Sequence, residues 1–187
     1  MANDWTDEVD RDDSLSDESY HHRELYAQFG LAIYMAQVLE MGVINLLSVM
    51  DALPQAKSQE EYDTLVSELM TRTLGKTIRR LRVLLPDEPE LCAKLEVALN
   101  KRNYMAHRFW REKVQLVATA KGRNRLISEL IEARELFEGV DRQLDEILFA
   151  HASKGGPTRE SVRDAVVRER ELMVALDGHL PDELPTL

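Results

Sequence analysis

The chain predicts an all-α bundle, and three observations carry that expectation. Leu126, Ile127, Leu130, Ile131, Leu136, Phe137, Val140, Leu144, Ile147 and Leu148 recur three and four residues apart, which traces one face of a helix. The eight Gly and six Pro among 187 residues fall mostly between such spans, where breakers belong. No stretch alternates apolar and polar residues as a half-buried strand would, and no fixed-period repeat stands out.

The elements follow in order. Residues 1–17 are an acidic tail with few apolar anchors, too polar to offset the entropy of ordering, and are expected to be disordered. Residues 18–153 form the bundle and 154–187 a C-terminal helix and loose tail. A long first helix is expected over 17–52, ended at or near Pro54. Ser58-Gln-Glu-Glu61 has the spacing of a capping box and opens a helix over 58–72. Gly75 breaks the chain before a helix at 75–85. Pro86-Asp-Glu-Pro89 is a turn that opens the next helix, 88–112, with acids in its first turn. Gly122 punctuates a less regular stretch before a helix at 123–152. Gly155-Gly-Pro157 is a linker, and a last helix at 158–177 stops at Gly178. The first, fourth and fifth helices make the frame.

Between Leu25 and Met50 the only charge is Glu40. That run is long enough to span a bilayer. Gln28, Gln37, Glu40 and Asn45 are scattered around it, and it lacks flanking Trp or Lys anchors. The expectation is therefore no membrane, with a central helix covered by other helices or by a second subunit. The acidic N-terminal residues do not read as a signal peptide, and one cysteine allows no disulfide within the chain; both suit a reducing cytoplasm. Cys92 reads as a small core residue.

The net charge of −10 is uneven. Residues 1–18 hold eight acids and one base, whereas residues 71–125 hold fourteen Lys/Arg against five Asp/Glu. A basic middle in an acidic protein points to a polyanionic partner there, or to solvated helix faces. No Gly-rich phosphate loop, Cys/His metal spacing or magnesium-type acidic cluster is present, so no cofactor or metal is expected. His21 and His22, adjacent on a helix, point in different directions.

What remains is Leu99-Asn-Lys-Arg-Asn-Tyr-Met-Ala-His-Arg-Phe-Trp110. On a helix, Leu91, Leu95, Ala98, Leu99, Met105, Ala106 and Phe109 share one side, with Arg102 in the middle of that stripe. Asn103 and His107, four apart, stack on one flank, and Asn100 and Arg111 extend it. A buried unpaired charge costs several kcal/mol, so Arg102 needs a partner or a task. Glu40, equally alone in its own run, is the expected partner.

Arg102-Asn103-Tyr104-Met105-Ala106-His107, near the end of a helix in an all-α chain, resembles the HEPN superfamily, whose motif is Arg, four to six residues, then His. The flanks from Ala98 to Trp110, the long apolar first helix and Thr73-Leu-Gly-Lys76 are similar to that group too, over roughly residues 20–150. The resemblance implies a HEPN-like bundle that forms a homodimer, with paired motif helices making one composite site. It implies a metal-independent endoribonuclease, a toxin or antiviral defence effector in a toxin–antitoxin setting, with RNA as substrate and a cognate antitoxin or regulatory protein as partner. Arg102, Asn103 and His107 would be catalytic, with Glu40, Arg108 and Arg111 supporting. The alternative is an inactive helical module that binds nucleotide, nucleic acid or protein. HEPN toxins silenced by nucleotide transfer carry Tyr two residues after His; here that position is Phe109.

Overall fold

The computed structural model describes residues 17–152 and 159–176, and among these every regular element is helical. The elements are α1 (Asp17–Leu47), a π-helical turn (Ser48–Ala52), α2 (Leu53–Gln55), α3 (Gln59–Met70), α4 (Leu74–Leu84), α5 (Pro89–His107), α6 (Phe109–Lys113), a 3-10 turn (Val114–Ala118), α7 (Ala120–Ala152) and α8 (Arg159–Leu176). The tail at 1–16, the Gly155-Gly-Pro157 linker and the C-terminal end lie outside the described residues.

α1 and α7 share the largest interface in the molecule. They run parallel: Glu18 reaches Arg123 at one end, and Asp141 and Leu144 lie against Gly42 at the other. α5 runs antiparallel to both, because Arg102 meets Glu40 while Trp110 meets Tyr26, and Lys101 meets Glu129 while Lys94 meets Gln143. α4 lies antiparallel to α5, with Gly75 beside Leu99 and Arg82 paired to Glu96. Leu25, Leu39, Leu46, Leu47, Leu95, Leu126, Leu130, Phe137 and Leu144 fill the core between the long helices.

α1 explains its own packing. Leu25, Ala32, Ala36, Leu39 and Val43 form a buried stripe at helical spacing, and the two alanines let a neighbouring helix approach closely. Gly42 has a similar function: a Cβ there would lie 2.3 Å from Asp141 Oδ1. The opposite face is open. Ala27, Gly30, Leu31, Tyr34, Gln37, Met41 and Asn45 are exposed, an uncharged strip about five turns long. Among the described residues the first helix is thus covered on one side only. Glu18–Gln55 is long and apolar enough to cross a membrane by length and composition.

Several boundaries differ from the sequence expectation. The chain stays helical through Pro54 to Gln55, since the wider π turn ahead of it accommodates a residue that cannot donate to an ordinary helical ladder. The capping box is only half reciprocal: Glu61 N donates to Ser58 Oγ at 3.2 Å, but Glu61 Oε2 accepts from Lys57 N at 2.8 Å rather than from Ser58 N. α7 begins ahead of Gly122, which is buried in its first turn because a Cβ would lie 2.0 Å from the Leu116 carbonyl oxygen. The expected single helix at 88–112 is two, with a break at Arg108 (φ −130°, ψ −25°). Beyond the break, Phe109 and Trp110 turn into an aromatic cluster with Phe29 and Tyr26, at ring separations of 4.9–5.5 Å. That packing, rather than a Gly or Pro, ends α5 at His107.

Candidate functional site

The motif occupies the last two turns of α5, where the helix passes the middle of α1. Arg102 is not sealed in the core: its side chain is 33% exposed, at the edge of the apolar stripe. Its Nη2 lies 3.4 Å from Glu40 Oε2, and its Nη1 donates to Asn103 Oδ1 at 3.2 Å. Glu40 is 26% exposed at the side chain. The lone charges of two apolar runs have thus found each other, but through one long contact, and the guanidinium keeps unused donors.

Asn103 and His107 are exposed on the flank. His107 is the last residue of α5 and carries no hydrogen bond or ion pair among the described residues. Arg102 and His107, five residues apart, point about 140° apart around the helix, with Asn103 between them. A single chain therefore does not aim both groups at one point.

The supporting cations divide. Arg108 turns away from the flank: its Nε is 3.3 Å from Glu112 Oε1, and its guanidinium lies 5.4 Å from the centre of the Tyr104 ring. Arg111 is exposed with no ion pair among the described residues. Phe109 is 1% exposed and is a core residue of the aromatic cluster.

The surroundings hold the motif end rigidly. Lys113 Nζ donates to Glu129 Oε2 at 2.9 Å, a bond that raises the lysine pKa, and Lys101 Nζ approaches the same carboxylate at 4.0 Å. Burial raises the Tyr104 pKa, which keeps the phenol protonated. Arg123, 4% exposed, donates from Nη1 to the Val117 carbonyl oxygen at 2.8 Å and ties the 3-10 turn to α7.

Two other features were not foreseen. Asp51, in the π turn, receives two bonds from Arg80 twenty-nine residues away, and these hold its carboxyl below the ordinary value. An open cleft of about 590 Å³ runs between the end of α4 and the first half of α5. The 7%-exposed Cys92 lines it, buried as expected of a core residue, with its Sγ 3.9 Å from the Leu85 carbonyl oxygen. Among the described residues no three His, Cys, Asp or Glu side chains gather in a group fit to hold a metal ion. Compared with family models, with curated proteins and with solved structures, the chain matches none.

Proposed function

We propose that the chain is a metal-independent endoribonuclease of HEPN type that acts in the cytoplasm as a homodimeric toxin or anti-phage effector, under a cognate antitoxin or regulatory protein. The observation that carries this reading is the end of α5: a guanidinium anchored by one long ion pair and one amide, with an exposed, unpartnered imidazole one turn beyond the amide. Two further features support it. The uncharged exposed strip of α1 is the kind of face that a second copy covers. The wide angle between Arg102 and His107 suits a site completed across a two-fold axis. In this arrangement α1 lies within a bundle and its dimer, not in a bilayer.

In the proposed reaction, His107 of one copy takes the proton of a ribose 2′-hydroxyl, and that oxygen attacks the adjacent phosphorus. The bond to the 5′-oxygen breaks, and the leaving oxygen takes a proton from His107 of the second copy. The products end in 2′,3′-cyclic phosphate and 5′-hydroxyl. An imidazole suits both transfers near neutrality. Arg102 neutralises charge on the phosphate oxygens, and Asn103 holds the guanidinium in place.

The Glu40–Arg102 pair also favours a second reading, a non-catalytic module for nucleotide, nucleic acid or protein, because an arginine held by a carboxylate of its own fold can serve packing or binding without catalysis. Inducible expression of wild type and His107→Ala separates the two. Growth arrest with fragmented RNA, lost in His107→Ala, supports the nuclease; intact RNA under wild type selects the module. Cleavage in vitro should persist in EDTA. A mixed dimer of wild-type and His107→Ala chains should run well below half of the wild-type rate if the site is shared, and at half if it is not.

A further inference from the structure

The cleft between α4 and α5 ends at Asn100, on the face of α5 that also carries the motif flank. Ala93, Glu96 and Asn100 border it at successive turns of α5, and the same face carries on to Asn103 and His107. Asn100 and His107 stand about 10 Å apart along the axis, a short step along an RNA strand. The cleft thus lies on the motif's own helix face, and its volume falls within the range of small-molecule sites.

Its chemistry narrows the occupant. The walls are apolar, from Leu85 and Pro89 on one side to the 56%-exposed Val97 on the other. Arg82 Nη2 donates to Glu96 Oε2 at 2.8 Å across the rim and holds the two helices at a fixed spacing. The Asn100 amide reaches the opening with donor and acceptor both unpartnered among the described residues. Apolar walls with one free amide at the edge match a flat heterocycle whose faces are apolar and whose rim is polar. An amide donor–acceptor pair is complementary to the N7 acceptor and N6 amino group of adenine. Lys76 and Arg79 continue the Arg82 face of α4 toward the level of Leu99, exposed and without ion pairs among the described residues. They add positive charge to the helix that forms the other side of the cleft, which favours a phosphate-bearing occupant.

We infer that this cleft is a nucleobase pocket with a preference for adenine, which seats a nucleotide near the cut phosphate and so sets where RNA is cleaved. The inference rests on the proposed RNA-cleaving function, yet it can be read separately, because Cys92 is the only cysteine in the chain and lines the cleft. The experiment measures the rate of Cys92 alkylation by iodoacetamide in the full chain, with each of the four nucleoside 5′-monophosphates and with the trinucleotides of each base. Adenine compounds should slow alkylation several-fold. The exposed Ala93→Phe, which fills the opening without entering the core, should abolish that protection. Asn100→Asp, which loses the amide donor, should reduce the adenine preference roughly tenfold or more and shift it toward cytosine. In parallel, the cut sites of wild type and both variants are mapped on one RNA. Moved or relaxed sites in the variants support the pocket. Cleavage by wild type with unchanged sites in Ala93→Phe, and no protection of Cys92 by any base, overturns the pocket and leaves the nuclease standing. Protection by adenine without cleavage by wild type supports the pocket and overturns the nuclease. Protection equal for all four bases and unaltered in Asn100→Asp overturns the adenine assignment.

Discussion

Two of the acid–arginine pairs that join the α1–α2 run to its neighbours, Asp51–Arg80 and Glu40–Arg102, differ in geometry. Asp51 meets Arg80 through two bonds, Nε to Oδ2 at 2.8 Å and Nη2 to Oδ1, and also accepts from Gln55 Nε2 at 2.9 Å. This is the fork-on-carboxylate geometry that gives guanidinium pairs their strength, and it keeps the Asp51 carboxyl below its ordinary value. Glu40 meets Arg102 through one 3.4 Å contact, and Arg102 shares its other arm with Asn103. Arg80 gives both Nε and Nη2 to the one carboxylate. The Arg102 fork is oriented but not consumed. Arg80 answers the Asp51 carboxylate with two donors whereas Arg102 gives Glu40 one, and under the proposed function that difference leaves Arg102 able to meet a second anion.

The comparison breaks most readily at Arg102. Arg102→Lys should lower RNA cleavage about a hundredfold or more, since a point charge does not reproduce the planar fork. It should shift the melting temperature little, as measured by circular dichroism. An equal loss of activity and stability would make Arg102 a second Arg80. Asp51→Asn should do the reverse: unchanged cleavage per folded molecule, with a lower midpoint of unfolding in urea.

pH sharpens the contrast. The folded-state pKa of Asp51 is lowered, so its contribution is present above the ordinary carboxylate value of 3.8 and is lost as pH falls below it. Asp141 behaves oppositely. Burial against α1, with Asp145 a smaller cause, raises its carboxyl to about 6. Its cost to stability is absent below pH 4, grows as pH rises toward 6 and levels off above that. Asp141→Asn should therefore raise stability at pH 7 by about 1–2 kcal/mol and flatten the profile between pH 4 and 6, as melting at pH 4, 5 and 7 would show. The smallest expected effect is that of Glu40→Gln: a stability change under about 1 kcal/mol and a few-fold gain in RNA binding, measured by filter retention. A loss of binding would mean that Glu40 positions Arg102 rather than restraining it.

The legible parts of this molecule were those fixed by local pattern. The 3–4 periodicity from Leu126 to Leu148 becomes the long α7, and Glu40 and Arg102 could be paired by eye because one was the only charge in an apolar run and the other the only charge central to an apolar helix stripe. The illegible parts depend on residues far apart in the chain. Asp51 and Arg80 are ordinary members of a crowd of surface charges until the π turn and α4 bring them together. The break at Arg108 has no local breaker; it is imposed by Phe29 and Tyr26 drawing Phe109 and Trp110 out of the helical line. The cleft is assembled from a turn and two helix faces, none of which signals a recess alone. The candidate triad was visible as residue types, but its wide angular spread and the partial exposure of Arg102 required the actual crossing of α5 and α1.

The aromatic cluster at that break also gives the molecule an optical reporter. The chain has two tryptophans, and Trp110 stands three residues past His107, tilted against Phe29 and Tyr26 at 4.9 and 5.5 Å. Tyr26 is 56% exposed, so one side of the stack borders solvent. Any body that settles on the end of α5 alters the polarity around that indole, and a Trp5→Phe background would leave Trp110 as the sole emitter. The wavelength of its fluorescence would then follow occupancy of the motif end in real time, with no label attached and no reaction required.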